Sequence, residues 1–404
     1  MRLIAVMMWP LAAYAVGNAQ VNPRDYPQWR GRDRDGSASG FVQPPRWPDA
    51  LTRRWRVEVG EGYASPLVVG NIVYIFSRSE GRELLSALDA DTGSLLWQSG
   101  YAVSYAPSGP TAAHGSGPKA TPLFHDGRII TLGISGIVAA FDPQQGTLLW
   151  RTAEPGEVPF FSAASSPVGE GRFAITHPGN YGPLTAFDVS SGKVAWQAGG
   201  DAFFMPPTVA TLRGVRQVIS VTQAAVVGVA AEDGRLLWEF PWTGGRSGGI
   251  MPIPYGDRVI VSATTAGVMA ISPRYRDGSW LAEKAWETSA VEMYISHPVL
   301  IGDTLFGFSR RASGQLFALD ARDGRVLWLG EPRFATNVAF AKAGDLLFIL
   351  KDDAELIIAR ASRSGFKPLK TYEVANSATW AQPVVSGRRL FVKDVSTLTL
   401  WTFD

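Results

Sequence analysis

The sequence predicts an all-β protein: an eight-bladed β-propeller of four-stranded antiparallel blades, with the ring closed by an N-terminal outer strand. Three observations carry this. A phrase of the form Asp-x-x-x-Gly-x-x-x-Trp recurs along the chain. A strand–turn–strand pattern, usually led by Pro, precedes each copy. The chain ends on inner strands alone, while an unpaired outer strand stands near its start.

The phrase runs from Asp89 through Gly93 to Trp97. It returns at Asp142–Gly146–Trp150, Asp188–Gly192–Trp196 and Asp320–Gly324–Trp328. The copy ending Gly234-Arg-Leu-Leu-Trp238 lacks the Asp, and degenerate copies end at Trp286 and Tyr372. An Asp side chain caps the N–H groups of a tight turn, and Gly supplies positive φ, so each phrase reads as a hairpin leading into an outer strand. The preceding phrases begin at Pro66, Pro122, Pro167, Pro207, Pro252, Pro298 and Pro383, and the copy near Asn337 lacks the Pro. Alternating apolar residues mark strands, and helical periodicity is nearly absent.

Eight outer-strand aromatics can be counted: Trp55, Trp97, Trp150, Trp196, Trp238, Trp286, Trp328 and Tyr372. Residues 51–404 then give about 44 residues per blade, the period of a four-stranded blade. Leu51 to Val59 carries Trp55 with no hairpin partner before it, so the last blade is expected to borrow it. Closing the ring this way removes an exposed strand edge.

Three segments are expected. Residues 1–19 read as a signal peptide: Arg2, an apolar run from Leu3 to Val16, then Gly17-Asn18-Ala19 before a cleavage point. Residues 20–50 read as an N-terminal extension packing on the ring, and 51–404 as the propeller. The expected product is an exported monomer, periplasmic or extracellular, with no membrane span in the mature chain.

Composition narrows function. The chain has 404 residues, 46% of them apolar and 18% charged, which suits one large core. A net charge of +2 without a basic tract gives no case for nucleic acid. There is no cysteine, which removes disulfides, thiolate metal sites and a Cys nucleophile. The acidic turns at Asp33–Gly36 and Asp89–Gly93 lack the acidic twelfth residue of a calcium loop, since Pro44 and Gly100 stand there. No two of His114, His125, His177 and His297 have a close metal-ligand spacing. No metal site is expected.

The repeat resembles the pyrroloquinoline-quinone (PQQ) propeller repeat of quinoprotein alcohol dehydrogenases and of the lipoprotein of the β-barrel assembly machine. The opening Tyr26-Pro-Gln-Trp29-Arg-Gly31 looks like the signature of a non-dehydrogenase branch. The resemblance implies that Trp97, Trp150, Trp196, Trp238 and Trp328 dock blade to blade. For the dehydrogenases it implies a catalytic Asp, calcium held by Glu, Asn and Asp, a stacking Trp and usually a vicinal disulfide. The disulfide is absent here, and no Glu/Asn/Asp set aligns. No catalytic residue is assigned.

Loops joining one blade's outer strand to the next inner strand converge at one channel mouth, where closed rings bind ligands. The candidates there are His114, Lys119, Phe204, Arg246, Glu292, Tyr294, His297, Asn337 and Trp380, with Phe160, Phe161 and Phe203 beside them. Cations that grip a carboxylate and rings that stack suit a small planar or acidic ligand. Two functions are expected to compete: a non-catalytic binding or scaffold protein with envelope protein partners and no cofactor, and a dehydrogenase of alcohols or sugars using PQQ with calcium.

Overall fold

The computed structural model describes residues 22–107, 109–155, 162–179, 182–202 and 204–404. The expected signal peptide lies outside them, as do Phe160, Phe161 and Phe203. The described strands form eight four-stranded sheets, each a meander of neighbouring antiparallel strands. Blade one, for example, runs Leu67–Val69, Ile72–Ser79, Arg82–Asp89 and Leu95–Ala102. Blades two to seven start at Leu123–His125, Val168–Glu170, Thr208–Leu212, Ile253–Tyr255, Val299–Ile301 and Val338–Ala343. The eighth takes Val384–Ser386, Arg389–Lys393 and Thr397–Thr402, and Thr52–Glu58 completes it as the outer strand. Trp55 stands opposite Leu400 in that closing pair.

The repeat phrase now has a physical reading. Asp89 Oδ1 accepts the N–H groups of Asp91 and Thr92, at 3.1 and 2.8 Å, and Asp142 holds its own turn the same way. Trp97, Trp150, Trp196, Trp286 and Trp328 each face an alanine on strand three, as Trp97 faces Ala87 and Trp150 faces Ala140, and a bulge follows at once. The small residue makes room for an indole, and the bulge re-aims the strand. The Gly then receives the preceding blade's indole. Gly192 has φ +71°, and a Cβ there would lie 2.5 Å from Trp150 Cδ2. Gly93, Gly146, Gly234 and Gly324 nest Trp55, Trp97, Trp196 and Trp286 in turn.

Trp97, Trp150 and Trp328 also donate across the seam, to the carbonyls of Pro143, Val189 and Ser362 at 2.8–3.2 Å. Trp196 nests on Gly234 without a hydrogen bond on its indole N–H. Trp238 shares an apolar cluster with Val259, Val261 and Ile271 of blade five but has no glycine nest there. It lies against Gly228 of its own blade and donates to Gln217 Oε1 at 2.6 Å. Blade five cannot receive it in the usual way, because its outer hairpin is a long pair, Gly267–Arg276 with Ser279–Thr288, without the Asp-x-x-x-Gly turn. Between blades, apolar clusters such as Phe76, Leu85, Tyr101, Ile129 and Phe141 fill the seams. Full burial of each such side chain is worth about 1.5–3 kcal/mol.

Residues 22–50 cross one face of the ring and bond the far ends of the inner strands. Tyr26 pairs with Val68, Pro27 O accepts from Phe124 N, Ala38 bonds Lys342, and Ser39 bonds Val385. From there Arg30 and Arg34 reach into the axis. Arg30 donates to the carbonyls of His297 (3.1 Å) and Pro298 (2.5 Å). Arg34 donates to those of Pro167 (2.8 Å), Ser166 (3.1 Å) and Pro207 (3.2 Å). Both guanidiniums lie over the Trp29 ring, at 5.8 and 5.4 Å. Burial pushes them down to about 10 and about 9, still charged at neutral pH. The carbonyls at the starts of blades three, four and six are thus tied across the ring by two cations.

Candidate functional site

The loops entering the inner strands lie at the opposite end of those strands from residues 22–50. They enclose an axial cavity of about 330 Å³. Its wall comes from seven blade-to-blade loops. The loop from blade one to two supplies Thr111, His114 and Lys119; His114 ends the short 3-10 helix Gly109–His114. The following loops supply Ala164, Phe204, then Tyr294, Ile295 and Ser296, then Thr336 and Asn337, then Trp380, then Tyr63. Blade six adds Phe308 and Arg310. A deeper chamber continues the cavity towards Trp29 and His297. Trp29 meets His297 edge to face at 4.6 Å, so the axis is a cup with a floor at the Trp29 end.

Six of the nine candidates share the upper cavity: His114, Lys119, Phe204, Tyr294, Asn337 and Trp380. His297 sits at the floor. Its Nδ1 bonds Ile295 O at 2.8 Å, and burial pushes it down to about 3, so it is neutral. Arg246 and Glu292 are not on the wall. Arg246 is exposed and donates to Gln223 O, while its loop approaches the cavity through Gly248, packed against Phe204 and Tyr294. Glu292 pairs with Arg311 at 3.4 Å outside the cavity.

Sequence reasoning missed Arg310, Tyr63 and Trp29. Arg310 lies 4.9 Å above the Tyr294 ring. It belongs to the turn between strands two and three of its blade, which opens on the same face as the connecting loops. That shared face was the available signal. Tyr63 stands two residues before Ser65-Pro66, the Pro-led phrase of blade one.

The electrostatics are one-sided. Burial pushes Lys119 down to about 8, and its ammonium makes no hydrogen bond or ion pair among the described residues. Burial, with Lys119 next, pulls His114 below its ordinary value, and His114 stands 4.5 Å edge to face with Trp380. Burial raises the Tyr63 and Tyr294 hydroxyls. Asn337 Oδ1 accepts the Ser296 hydroxyl at 2.5 Å, which leaves the amide NH₂ as the group Asn337 offers. Among the described residues, no carboxylate lines either chamber.

This lining does not fit a quinone paired with calcium. Calcium takes six to eight oxygen ligands, with carboxylates prominent among them. Among the described residues the cup offers none.

The chain matches the family described as outer membrane protein assembly factor BamB over residues 49–203, 81–330 and 208–404. It belongs to that family. BamB of Yersinia pestis is 25% identical over 331 residues, covering 78% of this chain and 69% of the relative. The crystal structure of BamB from Moraxella catarrhalis superposes with a TM-score of 0.61 at 16% identity, covering 87% of this chain and all of that one. Quinohemoprotein alcohol dehydrogenase from Comamonas testosteroni gives 0.67 at 13% identity, covering 96% of this chain and 81% of the enzyme. At such identities the two structures share the fold, and the fold alone does not choose between scaffold and enzyme.

Proposed function

We propose that this protein is an exported, non-catalytic binding or scaffold propeller, monomeric, that holds partners at the open mouth of its axial cup. Residues 1–19 act as the export signal in this reading, and residues 20–50 as the extension that plugs the ring. The partners are proteins of the cell envelope, in keeping with the printed name of the Yersinia pestis relative, an outer membrane protein assembly factor. A small acidic ligand suits the same wall. One observation carries the reading: the cup is closed at Trp29 and lined by rings and cations, with no carboxylate among the described residues to place a divalent ion beside a quinone. No described helix is long and apolar enough to cross a membrane.

The competing reading, a quinone-dependent dehydrogenase, draws on the shared fold and on the stacking capacity of Trp380. The test is a titration of the mature protein with PQQ plus calcium. Tryptophan fluorescence and dye-linked oxidation of alcohols and sugars are followed together. The expected result is neither saturable micromolar binding nor turnover. Turnover at saturating quinone sinks the proposal.

A further inference from the structure

We propose that the cup recognises a free carboxylate carried by an aromatic or branched apolar residue, presented by the C-terminus of a partner chain. The proposal rests on the binding reading above and gives it a ligand chemistry.

The donor set points to an anion. Lys119 and Arg310 both face the cavity, and neither side chain has an acidic partner among the described residues. A buried ammonium without a counter-charge is costly, and an entering carboxylate relieves that cost. Arg310 sits with its guanidinium carbon 4.9 Å from the Tyr294 ring centroid, and its N–H groups make no side-chain hydrogen bond among the described residues, so they can meet a carboxylate. The Asn337 amide adds a neutral donor, fixed in orientation by Ser296. Acceptors that would repel an anion are few, since no carboxylate lines the wall among the described residues.

The rest of the wall points to an apolar body. Phe204, Phe308 and Trp380 stand around the cations, with His114 held edge-on to Trp380. Aromatic walls favour a flat ring or a branched aliphatic group.

The floor points to a chain end. Trp29 and His297 block the axis, so an extended segment enters from the mouth and stops. A volume of about 330 Å³ is at the small end for ligand pockets, of about 300–1,000 Å³. It suits a terminal residue better than a mid-chain acidic residue, which brings two chain arms with it. Capture of a terminal carboxylate by converging donors is a known recognition mode.

The test uses the full mature chain and a fluorescent probe peptide, Ser-Gly-Ser-Gly-Ser-Phe, read by anisotropy. Three competitors are compared: the same peptide with a free C-terminus, its C-terminal amide, and 3-phenylpropionate. The free acid should displace the probe at least tenfold better than the amide. Lys119→Met and Arg310→Gln should each weaken the free acid five- to tenfold and leave the amide unchanged. Neither side chain donates a hydrogen bond to the described protein, so neither variant should fall well below the parent Tm, and Lys119→Met, which removes an unpaired ammonium, should equal or exceed it. A tighter peptide than phenylpropionate assigns the chain terminus, whereas an equally tight phenylpropionate keeps the carboxylate chemistry and reassigns its source to a free small acid. Equal binding of acid and amide, or no loss in either variant, overturns the inference. That failure is separate from failure of the binding reading, which is decided by turnover with the quinone.

Discussion

Trp29 meets His297 edge to face, ring centroids 4.6 Å apart and planes at 89°, and this contact turns the channel of the ring into a cup. One residue comes from the N-terminal segment and the other from the loop entering blade six. Arg30 and Arg34 also hold Trp29, their guanidiniums lying over its ring.

Arg34 ties blades three and four to the segment through the carbonyls of Ser166, Pro167 and Pro207. Arg34→Met removes all three bonds and leaves those carbonyls without their donor. The expected loss is about 2–4 kcal/mol in urea unfolding. Arg34→Lys should recover only part, because one ammonium cannot reproduce the fork. Full recovery by lysine would show that charge alone matters there.

The nest under each Trp can be separated from the turn it belongs to. Gly192 and Gly171 both have positive φ, +71° and +56°, and lie in the same blade. A Cβ at Gly171 meets nothing within 4 Å, whereas one at Gly192 strikes Trp150. Gly171→Ala should cost about 1 kcal/mol from backbone strain. Gly192→Ala should cost about 1–3 kcal/mol more, from overpacking against the indole. Equal losses would remove the nesting role.

Glu83 sits in the seam of blades one and two with one oxygen accepting the Ile134 N–H at 2.6 Å. Burial pushes its carboxyl up to about 7 from an ordinary 4.5. The folded state therefore binds a proton that the unfolded state has released between those values. Its stability contribution is complete below pH 4.5 and is lost as pH rises through 7. Glu83→Gln cannot ionise. It should gain on the parent between pH 5 and pH 8.5, by on the order of 2–3 kcal/mol, read as a Tm difference at the two pH values. A pH-independent difference would contradict the assignment.

Lys119 sets a pH dependence for anion binding. The titratable and charged groups sharing its wall are His114, Tyr63, Tyr294 and Arg310. His114 is pulled below its ordinary value and the tyrosines are raised, so Lys119 is the group that changes charge just above neutrality. Free-acid peptide affinity should fall as pH passes about 8. A bound anion moves that midpoint upwards. Lys119→Met should flatten the profile between pH 7 and pH 9.5, and a retained slope would place the titration elsewhere.

Much of this molecule was legible in its sequence. The eight blades, the outer strand carrying each Trp or Tyr372, and the closing strand at Trp55 all follow from local rules. Strand alternation repeats every two residues, and Asp-x-x-x-Gly encodes a turn within nine residues of its Trp. Such signals need no knowledge of distant contacts. The convergence of His114, Lys119, Phe204, Tyr294, Asn337 and Trp380 was legible at the level of loops, because propeller topology brings those loops to one mouth.

Only the tertiary structure decided which side chains from those loops face the axis. Arg246 turns outward because its loop meets Phe204 and Tyr294 through Gly248. Trp238 lies on Gly228 because blade five's outer hairpin is longer and its turn glycine, Gly278, stands at the tip and meets no indole. Arg310 joins the site from a hairpin, and Trp29 closes it from a segment that precedes the first blade. The physical reason is the same in each case. A repeat fixes where the backbone goes from short-range geometry, whereas the direction of a loop side chain is set by neighbours from tens to hundreds of residues away, which no local pattern records.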